Sequence, residues 1–116
     1  MIVSCGTQGR EPTMTILGLF YWKAGTSHEK ILECLGKRFS FEEPEGANML
    51  FEYSPSGVGD RTPAVVAGYE MTDFAPMMEI ELVWGEYFDI TMLPAVSAED
   101  GIKMGTDVIQ HIAAMA

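Results

Sequence analysis

From residue 14 onward, the chain divides into stretches whose apolar residues recur with the spacing of a strand or of a helix. Residues 15–22 are almost entirely β-branched, aromatic or aliphatic, which predicts a first strand. Thr26 followed by Glu29 matches a capping box, in which a hydroxyl and a carboxylate satisfy backbone donors at a helix start. Apolar residues then recur at helical spacing, so we predict a first helix over residues 27–39.

The next two segments predict a β-hairpin. Residues 48–53 alternate with the period of a strand. The two predicted faces of this strand carry Met49, Phe51 and Tyr53 on one side and Leu50 and Glu52 on the other. Residues 54–63 contain two glycines and two prolines, a composition typical of a hairpin connection. A third, antiparallel strand should therefore follow over residues 64–71.

A second helix is predicted from the capping positions Thr72 or Asp73 to about residue 87. Pro76 is tolerated in its first turn, because the backbone donors there have no partner within the helix. Residues 78–82 also alternate with strand spacing, so an extended segment is the alternative.

The last two predicted elements are a strand and a helix. Residues 88–96 indicate a fourth strand, and Pro94 near its end favours an edge position or a bulge. Ser97, with Asp100 three residues later, caps a final helix that runs to residue 116. Three isoleucines share one side of this helix, but two glycines lower its intrinsic stability, so packing must hold it.

The order β-α-β-β-α-β plus a terminal helix predicts an α+β, ferredoxin-like domain with a four-stranded antiparallel sheet. Two helices cover one face of such a sheet and leave the other face open. The first strand is apolar on both sides. Ile16, Phe20 and Trp22 point one way, and Leu17, Leu19 and Tyr21 point the other way.

These six side chains have a large free energy of burial. At roughly 1.5 to 3 kcal/mol each, it is on the order of 10 kcal/mol, comparable with the net stability of a small domain. We therefore predict that the second face pairs with the sheet of an identical copy, which gives a homodimer. The alternative is that the terminal helix folds over this face.

Length and composition allow one globular domain. The 116 residues are 47% hydrophobic. Residues 1–13 have no periodicity and are predicted to be a flexible leader, and residues 14–116 form the single domain. No apolar stretch reaches the length of a membrane span, and the leader lacks the core of a signal peptide, so we expect a cytoplasmic protein. Cys5 and Cys34 are then expected to stay reduced.

Charge excludes two classes of partner. The chain carries 17 acidic and 7 basic residues, a net charge of -10. It should be repelled by nucleic acid and by anionic membrane surfaces. The two histidines, His28 and His111, have no cysteine or second histidine at metal-binding spacing, so no metal and no cofactor are expected.

A resemblance to known proteins rests on the order of the elements and on two segments. These segments are the start Met14-Thr-Ile-Leu-Gly-Leu-Phe-Tyr-Trp-Lys and the late segment Phe88-Asp-Ile to Pro94-Ala95. The chain resembles the dimeric α/β-barrel group of ferredoxin-like proteins over residues 14–115. Within that group, it is most similar to a small family of unknown function. The resemblance implies a dimer with a cavity between sheet and helices in each subunit. The group includes cofactor-free monooxygenases, isomerases, haem-handling enzymes and proteins without known activity.

Aromatic residues are the main candidates for the lining of this cavity, because such pockets are mostly apolar with a few hydroxyls. The candidate ligand-binding residues are Trp22, Tyr53, Tyr69 and Trp84. The candidate catalytic residues are Tyr53, Glu52, His28 and His111, since a desolvated carboxylate can act as a general base. The alternative is that Glu52 and Glu70 both face water on a strand edge. No nucleophile, P-loop or dinucleotide motif is present.

Three hypotheses for function follow. The leading one is a homodimer that binds a small apolar or aromatic molecule in the cavity. The second is a cofactor-independent monooxygenase or isomerase, in which Tyr53 or Glu52 moves a proton together with His28 or His111. The third is a subunit that covers the sheet of another protein.

Overall fold

The computed structural model describes residues 13–56 and 62–115. All seven predicted elements are present. The strands are β1 (Met14–Trp22), β2 (Ala47–Tyr53), β3 (Val65–Met71) and β4 (Phe88–Ala95), and the helices are α1 (His28–Ser40), α2 (Ala75–Trp84) and α3 (Ala98–Met115). The predicted leader and Cys5 lie outside the described residues, apart from Thr13, and so does the middle of the β2–β3 connection.

The strands form one antiparallel sheet in the order β2-β3-β1-β4. This order and the three helices make the protein an α+β, ferredoxin-like domain with an extra C-terminal helix. β4 lies at an edge of the sheet, which confirms the position that Pro94 indicated. α2 is a helix, so the extended alternative for residues 78–82 is wrong.

The helix starts show which capping predictions were accurate. α1 is capped by Ser27, whose hydroxyl accepts from the Lys30 N–H at 3.2 Å, so the predicted box starting at Thr26 is wrong by one residue. In α3, the Ser97 hydroxyl accepts from the Asp100 N–H at 3.0 Å, as predicted.

The core lies between α1, α2 and one face of the sheet, which we call the helix face. Ile16 and Phe20 of β1 and Tyr69 of β3 are buried there against Ile80 and Trp84 of α2. Residues directly opposite each other in the sheet share a face, so the register assigns every strand residue to one side.

A β-bulge in β2 changes which of its residues face the core. Met49 is opposite Tyr69, but Phe51 is opposite the preceding residue, Gly68, so Leu50 is the extra residue. Met49 therefore points to the helix face, whereas Phe51 and Tyr53 point to the other side. The predicted common face for these three residues is wrong, because a bulge inverts the alternation after it.

The second side of the sheet, the open face, is mainly apolar. Its residues form two rows across the strands. The rows are Phe51, Gly68, Leu17 and Leu93, and next to it Tyr53, Val66, Leu19 and Thr91. Leu17, Leu19 and Tyr21 are half-buried, while Leu93 and Tyr53 are exposed. No described helix covers this face.

α3 does not cover the open face. None of its residues is buried, and its apolar side remains in solvent, with Ile102 72% exposed and Ile109 69% exposed. The alternative that the terminal helix shelters the second face is therefore not the arrangement within this chain.

Candidate functional site

A cavity of about 500 Å³ lies between α1 and the helix face of the sheet. Most of its lining is apolar or aromatic, with a few polar groups. The aromatic residues are Phe20, Trp22, Tyr69, Trp84 and Phe88, and the polar residues are Arg38, Glu43, Glu52 and Ser54. This size and composition are typical of a site for a small organic molecule.

Three aromatic side chains form one wall of the cavity because the sheet places them together. Phe20 and Trp22 lie two residues apart on β1 and so share the helix face. Phe88 of β4 is opposite Trp22, with ring centroids 4.5 Å apart. Phe20 meets Phe88 edge to face, with centroids 5.6 Å apart. Such contacts hold the rings in fixed positions.

The second wall comes from α1. Ile31, Cys34, Leu35 and Arg38 recur at helical spacing and all line the cavity. Cys34 is buried, and burial raises the pKa of its thiol. The protonated thiol is a poor nucleophile, so Cys34 contributes apolar surface to this wall.

An ion pair joins α1 to β2 at the cavity. The Arg38 guanidinium donates to both carboxylate oxygens of Glu52, from Nη2 at 2.8 Å and from Nε at 3.4 Å. These hydrogen bonds raise the pKa of Arg38 above its ordinary value. Glu52 reaches this position because the bulge turns it toward the helix face, opposite Ala67. Because two hydrogen bonds join the Arg38 guanidinium to Glu52, this carboxylate is its main partner.

Glu43 is the second carboxylate at the cavity. It lies in the loop between α1 and β2, and its Oε2 is 3.9 Å from Nη2 of Arg38. Its buried Oε1 has no hydrogen-bond partner among the described residues. Burial raises the pKa of Glu43, and the positive charge of Arg38 opposes that effect without cancelling it.

Tyr69 lies near the same two carboxylates, Glu43 and Glu52. Its side chain is buried, and burial, reinforced by the charges of Glu43 and Glu52, raises its pKa well above the ordinary value. The hydroxyl is therefore neutral, and it is a poor proton donor. Both shifts show that this region of the cavity disfavours added negative charge.

A second polar cluster fastens α1 to the α2–β4 connection. The Tyr87 hydroxyl donates to Glu33 at 2.7 Å, which raises the pKa of Tyr87 to about 12. Lys30 bridges Glu33 at 3.3 Å and Glu86 at 3.0 Å. The Lys37 ammonium donates to the Val83 carbonyl at 2.9 Å. These contacts hold the helix that forms the cavity wall.

The structure separates the residues that the sequence grouped as ligand-binding. Trp22, Tyr69 and Trp84 line the cavity. Tyr53 lies on the open face and is 67% exposed, because the bulge at Leu50 turns it away.

The four candidate catalytic residues are also dispersed. Glu52 lines the cavity, whereas Tyr53 is on the open face, and His28 and His111 are exposed at the start of α1 and on α3. Glu70 is on the open face, where its carboxylate accepts from the Asn48 amide at 3.4 Å.

Sequence reasoning missed Arg38 and Glu43. Arg38 could have been found, because it lies on the same side of α1 as Ile31 and Leu35, where a solvated basic residue is not expected. Glu43 carries no such signal, because it lies in a polar loop whose approach to the sheet is a tertiary feature.

The part of the chain that the structure describes contains no group of three or more His, Cys, Asp or Glu residues placed to hold a metal ion. None of its helices is long and apolar enough to cross a membrane. Comparisons of the chain with protein-family models, curated proteins and solved structures found no match.

Proposed function

We propose that this chain is a homodimeric, cytoplasmic protein of the dimeric α/β-barrel group that binds a small apolar or aromatic molecule in the cavity between α1 and the sheet. The cavity itself is the observation that carries this proposal. Its volume of about 500 Å³ falls within the range of roughly 300 to 1,000 Å³ that is common for ligand pockets. In such pockets the aromatic and apolar side chains supply most of the binding surface, and a few polar groups determine specificity, as the lining of this cavity would allow.

The open face supports the homodimer. Leu17 and Leu19 of β1 lie beside Val66 of β3, and no described helix of the same chain packs on them. The row at one end of this patch is polar, with Asn48, Glu70 and Thr15 next to one another. An apolar centre beside a polar row is typical of a protein interface.

Native mass spectrometry of freshly purified full-length protein tests both parts of this proposal. We expect a dimer mass that carries an additional small molecule, which is released on denaturation. A monomer without bound molecule would overturn the proposal. A stoichiometric complex with an unlike protein would instead support the third hypothesis, in which the open face covers another protein's sheet.

Glu43 favours a second candidate function, a cofactor-independent monooxygenase or isomerase. A carboxyl group of raised pKa beside an apolar cavity is suited to proton transfer. In this version Glu43 and Glu52 carry the chemistry, because His28 and His111 do not line the cavity. A turnover found by substrate screening should be lost in Glu43→Gln and kept in the exposed variant Glu42→Gln. Equal turnover in both would remove this candidate.

A further inference from the structure

The charged side chains that line the cavity restrict the kind of ligand that it can bind. Among its described lining residues, Arg38 is basic and Glu43 and Glu52 are acidic. Arg38 is already held by both oxygens of Glu52, with Glu43 as its second acidic neighbour. The lining therefore has an excess of one negative charge when both carboxylates are ionised, and its cation is not available to an incoming anion.

Lys37, the neighbour of Arg38 on α1, is also engaged. The Lys37 ammonium lies 5.4 Å from the centroid of the Trp84 ring. It donates to the Val83 carbonyl at 2.9 Å and is 4.0 Å from Glu86. Lys37 is not one of the residues that line the cavity. A ligand carboxylate would have to break one of these arrangements to pair with Arg38 or Lys37.

The aromatic residues that line the cavity also favour a positively charged ligand over a negatively charged one. The faces of Trp and Phe rings attract cations through their quadrupole, and Trp is the strongest of them. Trp22, Trp84 and Phe88 all line the cavity, and the Lys37 ammonium already lies over the Trp84 ring, so the aromatic lining attracts positive charge. The net charge of -10 adds a long-range attraction for cations.

We propose that the cavity takes a ligand with an apolar or aromatic skeleton that ends in a protonated amine, and that it rejects the isosteric carboxylate. The skeleton fills the space between Phe20, Phe88 and Leu35, and the ammonium is recognised by Glu43, whose buried Oε1 has no hydrogen-bond partner among the described residues. This inference rests on the proposed binding function and adds the chemistry of the ligand.

A matched series of three compounds tests the inference: 4-phenylbutylamine, 4-phenylbutanol and 4-phenylbutyrate. Trp22 and Trp84 are the two tryptophans of the chain, and both line the cavity, so tryptophan fluorescence reports on it directly. We expect the amine to bind at least about tenfold more tightly than the carboxylate, equivalent to about 1.4 kcal/mol. Equal or tighter binding of the carboxylate would overturn the inference and leave the binding function standing. Binding of none of the three would remove the binding function itself.

Removing the partner of Arg38 should reverse the preference. In Glu52→Gln the guanidinium loses the carboxylate that holds it through two hydrogen bonds, so affinity for 4-phenylbutyrate should rise and affinity for 4-phenylbutylamine should fall. Glu43→Gln, which leaves the Arg38–Glu52 pair intact, should reduce the preference for the amine without freeing Arg38. Glu42→Gln is the matched control, because Glu42 is exposed and does not line the cavity. An unchanged amine preference in both cavity variants would overturn the inference.

Discussion

The ring of Phe51 lies directly over Gly68, so closely that a Cβ atom at position 68 would overlap its edge. The two residues are opposite each other on the open face. This packing follows from the bulge at Leu50, which turns Phe51 away from the core, and from the lack of a side chain at residue 68. The aromatic ring covers backbone that a glycine leaves bare.

Gly68→Ala should therefore destabilise the protein. The added methyl group must displace the Phe51 ring, and overpacking of this kind costs about 1 to 3 kcal/mol. Chemical denaturation followed by circular dichroism measures the loss.

Gly36→Ala is the matched control for that substitution. Gly36 is exposed within α1, and a Cβ there would meet no atom within 4 Å. Alanine in a helix interior is favoured over glycine by roughly 0.5 to 1 kcal/mol, so this variant should be more stable. If both variants shifted stability equally and in the same direction, the Phe51–Gly68 packing would not be the cause.

The raised pKa of Glu43 predicts a pH dependence of stability. A carboxyl whose pKa is higher in the folded state binds its proton more tightly there. Its contribution to stability is therefore full below the ordinary value of 4.5 and is lost as the pH rises through the folded pKa. Glu43→Gln should gain stability relative to the wild type over this range.

Thermal unfolding of the two proteins across this pH range measures the difference, with Glu42→Gln correcting for the change in net charge. A stability difference that stayed constant with pH would show that Glu43 is not desolvated.

Cys34 should be protected from thiol reagents. It is 3% exposed, and burial raises its pKa, so the reactive thiolate is rare. In a Cys5→Ser background, the remaining thiol should react slowly with Ellman's reagent until denaturant unfolds the chain. Rapid reaction of the folded protein would mean that the cavity wall formed by α1 opens readily. A ligand that fills the cavity should slow the reaction further.

Local patterns predicted the elements accurately because helix and strand periods are properties of neighbouring residues. Pro94, for example, favoured an edge position or a bulge for β4, and β4 lies at an edge of the sheet. The bulge was not predictable in this way, since Leu50 is apolar and fits an uninterrupted alternation. Its consequence is large, because it places Glu52 in the cavity and Tyr53 outside it.

The polar residues of the cavity could not be predicted from the sequence for a related reason. The Arg38–Glu52 pair joins residues 14 positions apart in the chain, on a helix and on a strand. Their contact depends on the angle at which α1 packs on the sheet, and the pattern of apolar and polar residues does not determine that angle. The aromatic residues were easier to find, because Trp22, Tyr69 and Trp84 must be sheltered wherever they lie.

The homodimer in this account depends on pairing of two open faces, and sedimentation velocity of the full-length chain tests this pairing. The wild type should sediment as a dimer, and Leu19→Lys should sediment as a monomer, because it places a charge at the centre of the apolar rows. Leu82→Lys, the same change at an 81% exposed position on α2, should remain dimeric. A wild-type monomer, or a dimer unaffected by Leu19→Lys, would contradict the account.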